Sequence, residues 1–89
     1  MSLKLEPGTF VIANAGRDKG KCFIVLSVEN QYLYLCNGKN RKVSKPKKMK
    51  IKHTISTGCS NEYICNLLEK GELTDKSARC AISEFKFEL

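Results

Sequence analysis

Apolar and polar positions alternate through the N-terminal part of this chain with the two-residue period of strands. Residues 9–13 set Phe10 and Ile12 on one face and Val11 and Ala13 on the other. Residues 22–28 are apolar nearly throughout, as a central strand covered on both faces would be. A short polar turn at Glu29, Asn30 and Gln31 leads to a third strand over 32–36, where Tyr32 and Tyr34 alternate with Leu33 and Leu35. Asn37-Gly38 is a tight-turn signal, because both residue types tolerate positive φ. Beyond it Val43, Met49 and Ile51 are sparse apolar anchors, and two short strands are expected around Pro46.

From Thr54 the period changes. Ser56-Thr57-Gly58 reads as a linker. Tyr63, Ile64, Leu67 and Leu68 then recur at helical spacing over 61–70, with Gly71 as the stop. Thr74 offers an N-cap and Asp75 suits a first helical turn. Ala78, Ala81, Ile82 and Phe85 give a second stripe. Two helices of about ten residues are too short to stand alone, so they must pack on each other, on the strands or on a partner. The expected fold is mainly β with C-terminal helices: a small SH3-like β-barrel over 1–57 and a short helical hairpin over 58–89.

A chain of 89 residues has room for little more than one small domain. Its 42% hydrophobic content is ordinary for a folded domain. The longest clean apolar run, 22–26, is far short of the roughly 20 residues of a membrane span. With no apolar signal region at the N-terminus, a cytoplasmic location without membrane contact is expected. Five cysteines in no Cys-x-x-Cys pair suggest free, reduced thiols. Their spacing does not fit a structural zinc tetrad, and no cofactor is expected.

Charge divides the chain. Residues 1–53 hold 12 Lys and Arg against 3 Asp and Glu, whereas residues 54–89 hold 4 against 6. A basic half of this kind needs a polyanion partner or serves as a solubilising surface. Catalysis finds no support: His53 lies in a lysine run without a neighbouring carboxylate, and no nucleophile, phosphate-loop or metalloprotease motif occurs.

The basic residues fall into two stretches. Asn14, Gly16, Arg17, Lys19, Gly20 and Lys21 lie between the first two strands, and Arg17, Lys19 and Lys21 would point the same way if that loop were extended. Gly16 and Gly20 would allow close approach to a phosphate backbone. The second stretch carries Lys39, Arg41, Lys42, Lys45, Lys47, Lys48, Lys50 and Lys52, closed by His53, and would widen the footprint. Tyr32 and Tyr34 either cover the hydrophobic core or offer stacking surfaces. A solvated basic turn remains the plain alternative for the first stretch.

Pro7-Gly8, the alternating Phe10 and Ile12, Gly16, and Lys19-Gly20-Lys21 ahead of an apolar strand together resemble the KOW motif. That strand–loop–strand unit belongs to ribosomal proteins and transcription elongation factors. The resemblance covers 7–37 as motif and 7–57 as domain. Phe23 stands where many KOW domains have glycine. Ala15-Gly16-Arg17 before the loop and Cys22 after it are more similar to large-subunit ribosomal proteins of archaea and eukaryotes and to short bacterial KOW proteins. Arg41-Lys42-Val43 and Ile51-Lys52-His53 are similar to the same relatives. The residues alone leave RNA and DNA open; the resemblance implies RNA, ribosomal RNA above all. The expected function is that of a small non-catalytic RNA-binding protein that grips folded RNA by shape and phosphate contacts. A protein-interaction adaptor, with the helical hairpin as docking surface, and a transcription-associated module are the alternatives.

Overall fold

The computed structural model describes residues 5–85. Residues 1–4 of the expected first unit and 86–89 of the second lie outside the described residues. Five strands, β1 (Thr9–Ala13), β2 (Cys22–Glu29), β3 (Tyr32–Cys36), β4 (Lys47–Lys50) and β5 (Thr54–Ser60), precede two helices, α1 (Glu62–Lys70) and α2 (Asp75–Glu84). The strands form one antiparallel sheet in the order β4-β3-β2-β1-β5. The sheet is not closed. Its two edges, β4 and β5, are nevertheless joined by a single 3₁₀ turn, Ile51–His53. Three residues at about 2.0 Å rise span only about 6 Å, so the sheet must bend to bring its edges near each other at that end.

Strand alternation sorts the apolar residues onto two faces. Val11, Ala13, Phe23, Val25, Leu33, Leu35 and Met49 form one cluster, with Leu5 and Ile51 against it. Phe10, Ile24 and Cys36 face the other way and meet Ile64 of α1 and Ala78 and Ala81 of α2. Each fully buried Phe or Leu stabilises the fold by about 1.5–3 kcal/mol relative to an exposed one. Of the packings left open to the two helices, contact with the strands is the one found. Small residues on α2 let its axis approach the sheet, and Phe85 beyond it stacks on Phe10 with ring centroids 4.3 Å apart.

Local signals set the helix limits. The Asn61 side chain accepts from the Ile64 N–H at 3.2 Å, and the Thr74 hydroxyl accepts from the Ser77 N–H at 3.1 Å. Gly71 ends α1 with φ +69°. Tyr63, expected in the apolar stripe, is 62% exposed, so α1 buries a narrower face than its sequence suggests.

Three expectations need correction. Ser56, Thr57 and Gly58 are not a linker but lie within β5, and β5 runs across the boundary expected between 57 and 58. Without β5 one edge of β1 would lack a partner; the buried Thr57 hydroxyl donates to the Phe10 carbonyl at 2.8 Å, where the ladder is irregular. Only one strand, β4, forms near Pro46; residues 41–45 make turns instead. At Asn37-Gly38 only Gly38 has positive φ. Asn37 works through its side chain, whose Oδ1 accepts from the Lys39 and Arg41 N–H groups at 2.9 and 3.0 Å.

Candidate nucleic-acid interface

The loop between β1 and β2 is held shut from its base. The Ala13 N–H donates to the Lys21 carbonyl at 3.0 Å, and the Gly20 N–H donates back to Ala13 at 2.8 Å. Lys19 N–H to Gly16 and Lys21 N–H to Asp18 close two successive turns. Gly16 and Gly20, at φ +75° and +87°, make those turns possible. Because the loop is folded rather than extended, the two-residue period expected for Arg17, Lys19 and Lys21 does not hold. Arg17 and Lys19 are exposed, with no ion-pair partner among the described residues.

Asp18 points the other way and is 2% exposed. Its carboxylate accepts from the Lys47 ammonium at 2.8 Å and from Arg41 Nη2 at 3.1 Å, and Lys21 Nζ lies 3.6 Å away. The Lys47 hydrogen bond holds the Asp18 carboxyl down at about 2; burial opposes it and the Arg41 hydrogen bond assists. One buried anion thus gathers cations from three places in the sequence. Lys21, Arg41 and Lys47 share their charge with it, so they are weaker free phosphate ligands than Arg17 and Lys19. The signal in the sequence was a single acid, Asp18, inside a basic loop.

Asn14 ties the same loop to the 3₁₀ turn. Its N–H donates to the His53 carbonyl at 2.9 Å, and its Nδ2 reaches the Lys52 carbonyl at 3.5 Å. Lys52 is exposed and His53 half-buried beside it. Asn14, Arg17, Lys19, Lys21, Arg41, Lys47, Lys52 and His53 therefore meet around one end of the sheet.

Lys48 and Lys50 sit elsewhere. Register pairs Lys48 with Tyr34 and Lys50 with Tyr32, and directly opposed residues share a face. Leu35 pairs with Lys47 and Leu33 with Met49, on the face of the first apolar cluster. Lys48 and Lys50 consequently stand with the tyrosines on the opposite face, and Lys48 Nζ lies 4.5 Å from the Tyr32 ring centroid. Both tyrosines are half-buried, and neither joins the two apolar clusters.

Lys39 and Lys42 are exposed on the turns after β3. These turns are braced by α2: the Asp75 carboxylate accepts from the Val43 N–H at 2.7 Å, and Arg79 Nη1 donates to the Gly38 carbonyl at 2.7 Å. Gly38 packs so closely on the Asp75 carbonyl that a Cβ there would collide. Sequence reasoning missed Arg79, because it lies in the half with no basic bias.

The thiols are free. Burial pushes Cys22 up to about 11 and, with the Asp75 charge nearby, Cys36 up to about 12, so both behave as small apolar groups. Among the described residues no three His, Cys, Asp or Glu side chains gather as a metal site, and no helix is long and apolar enough to cross a membrane. No protein-family model matches this sequence, and no curated protein matches it.

Proposed function

We propose that this chain is a small non-catalytic RNA-binding protein of KOW type that works in the cytoplasm with ribosomal RNA or the ribosome. The observation that supports it most is the Asp18 cluster. By drawing Arg41 and Lys47 to the β1–β2 loop, it turns two separate basic stretches into one positive end of the molecule. Arg17 and Lys19 project from that end, with Lys52 beside them through Asn14. Counterion release from RNA phosphates would supply most of the affinity. Contacts of this kind select folded RNA by shape rather than by base sequence. His53 meets the loop through its backbone carbonyl, which accepts from the Asn14 N–H. The strand order, with both sheet edges joined by one 3₁₀ turn, supports the finer assignment to an SH3-like barrel.

The test is binding of the full chain to a ribosomal RNA fragment over a salt series, with sedimentation of the tagged protein in cell lysate. If five cations reach phosphates, log affinity falls against log salt with a slope of roughly −3.5 to −4.5. Co-sedimentation with the large ribosomal subunit at low salt is expected. Salt-insensitive association with a protein partner that survives nuclease treatment would overturn the proposal in favour of an adaptor.

A further inference from the structure

A cleft of about 730 Å³ opens between the 37–41 turn and α2. This volume is in the range of about 300–1,000 Å³ typical of small-ligand sites. Lys21, Lys39 and Asn40 line one side, and Arg79, Cys80 and Ile82 of α2 line the other. The two walls are fixed to each other by the Arg79–Gly38 and Asp75–Val43 hydrogen bonds, so the cleft is preformed.

The chemistry of the lining is one-sided. Arg79 uses Nη1 on Gly38 and keeps its other N–H donors. Asn40 uses Oδ1 to accept from Asn37 at 2.9 Å, which leaves its Nδ2 as a donor. Lys39 has no ion-pair partner among the described residues. Three cations, of which Lys21 is shared with Asp18 at 3.6 Å, therefore line the cleft against a single lining carboxylate, Glu84. Ile82 and the neutral Cys22 thiol add apolar surface next to these donors. A ligand that suits the cleft is anionic and rich in acceptors, with a flat apolar face.

We propose that this cleft seats one unpaired nucleotide of a bound RNA, its phosphate toward Lys21 and Lys39 and its base against Ile82 and Cys22. The proposal rests on the RNA-binding function above and extends it. It makes the helical hairpin a wall of the RNA interface rather than a dock for another protein. Recognition then has two parts: the Asp18 end takes backbone phosphates, and the cleft selects an RNA that can extrude a base.

The experiment compares two RNA hairpins that differ only in one bulged 2-aminopurine nucleotide, paired in the control, titrated with the full chain. The bulged hairpin is expected to bind roughly tenfold more tightly, the scale of one seated base, and its 2-aminopurine emission to change on binding. Cys80→Trp and Ser83→Trp, at exposed cleft positions, are expected to abolish that preference and leave affinity for the paired hairpin unchanged. Circular dichroism checks that each variant is folded. Equal binding of the two hairpins by the native chain, with no change in emission, would overturn the cleft assignment and leave general RNA binding intact. A folded variant that keeps the preference would overturn it as well. Tight binding of a free nucleoside monophosphate without any bulge preference would make it a small-molecule site instead. Failure to bind either hairpin would overturn the RNA-binding function and the cleft assignment with it.

Discussion

The Lys47 ammonium and the Asp18 carboxylate meet at 2.8 Å across 29 residues of chain. Lys47 starts an edge strand, and Asp18 sits in the loop between the first two strands. Their contact fixes the loop to the far side of the sheet, with Arg41 closing the same oxygen. Asp18 is nearly inaccessible while its three cationic partners remain 26–53% exposed at their side chains. The anion is buried and the cations still reach solvent.

Asp18→Asn removes the negative charge that Lys21, Arg41 and Lys47 share and puts an NH2 donor in place of one acceptor oxygen. Their partial exposure lets water replace part of the loss, so the cost is expected at about 2–3 kcal/mol, toward the low end for a broken buried pair. The same change adds one positive charge where RNA would bind. Urea denaturation is expected to register the loss, while RNA affinity of the folded variant is equal or higher. A variant as stable as the parent would mean that the contact contributes nothing.

Acid should act through the same group. Asp18 is held at about 2, below its ordinary 3.8, so its stabilising contribution is fully present above pH 4. It is lost as pH falls from about 4 to about 2, by about 2 kcal/mol in all. Urea midpoints of the native chain and Asp18→Asn are expected to differ at pH 7 and to converge near pH 2. A gap that stays constant over that window would place the effect on another carboxylate.

Among the described residues, Arg17 and Lys19 are the loop cations without an ion-pair partner, so they test binding without disturbing the fold. Arg17→Gln with Lys19→Gln is expected to change stability by less than about 0.5 kcal/mol. If both touch phosphates, the log–log salt slope should become shallower by roughly 1.4 to 1.8. An unchanged slope in the folded double variant would remove the loop from the interface.

Two glycines separate conformational strain from close packing. Gly20→Ala is expected to cost about 1–2 kcal/mol, for φ +87° alone, since nothing crowds the position. Gly38→Ala carries a similar φ cost at +77° and also drives a methyl into the Asp75 carbonyl and the Arg79 side chain. Its denaturation midpoint should fall distinctly further, with loss of helical ellipticity as α2 is displaced. Equal costs at the two positions would argue against tight docking of α2 on the turn.

Much of the fold is written locally. The alternation of Tyr32 and Tyr34 with Leu33 and Leu35 defines β3, and Gly71 and Thr74 mark the end of one helix and the start of the next. These features depend on residues within a few positions of each other, so pattern alone carries them. The concentration of cations in the first 53 residues is equally plain in the sequence.

What the tertiary structure decided is non-local. Ser56, Thr57 and Gly58 have the composition of a loop and became strand because β1 had an open edge and Thr57 could satisfy the Phe10 carbonyl. Asp18 resembled one more solvated charge until Lys47 and Arg41 were brought to it. Arg79, in the half with no basic bias, joined Lys21 and Lys39 at one cleft because α2 docks on the turn after β3. Sequence determines which residues can form strands, helices and ion pairs. Which strand borders which, and which charge is buried beside which, follows only when the strands pair across the chain and the helices pack on the sheet.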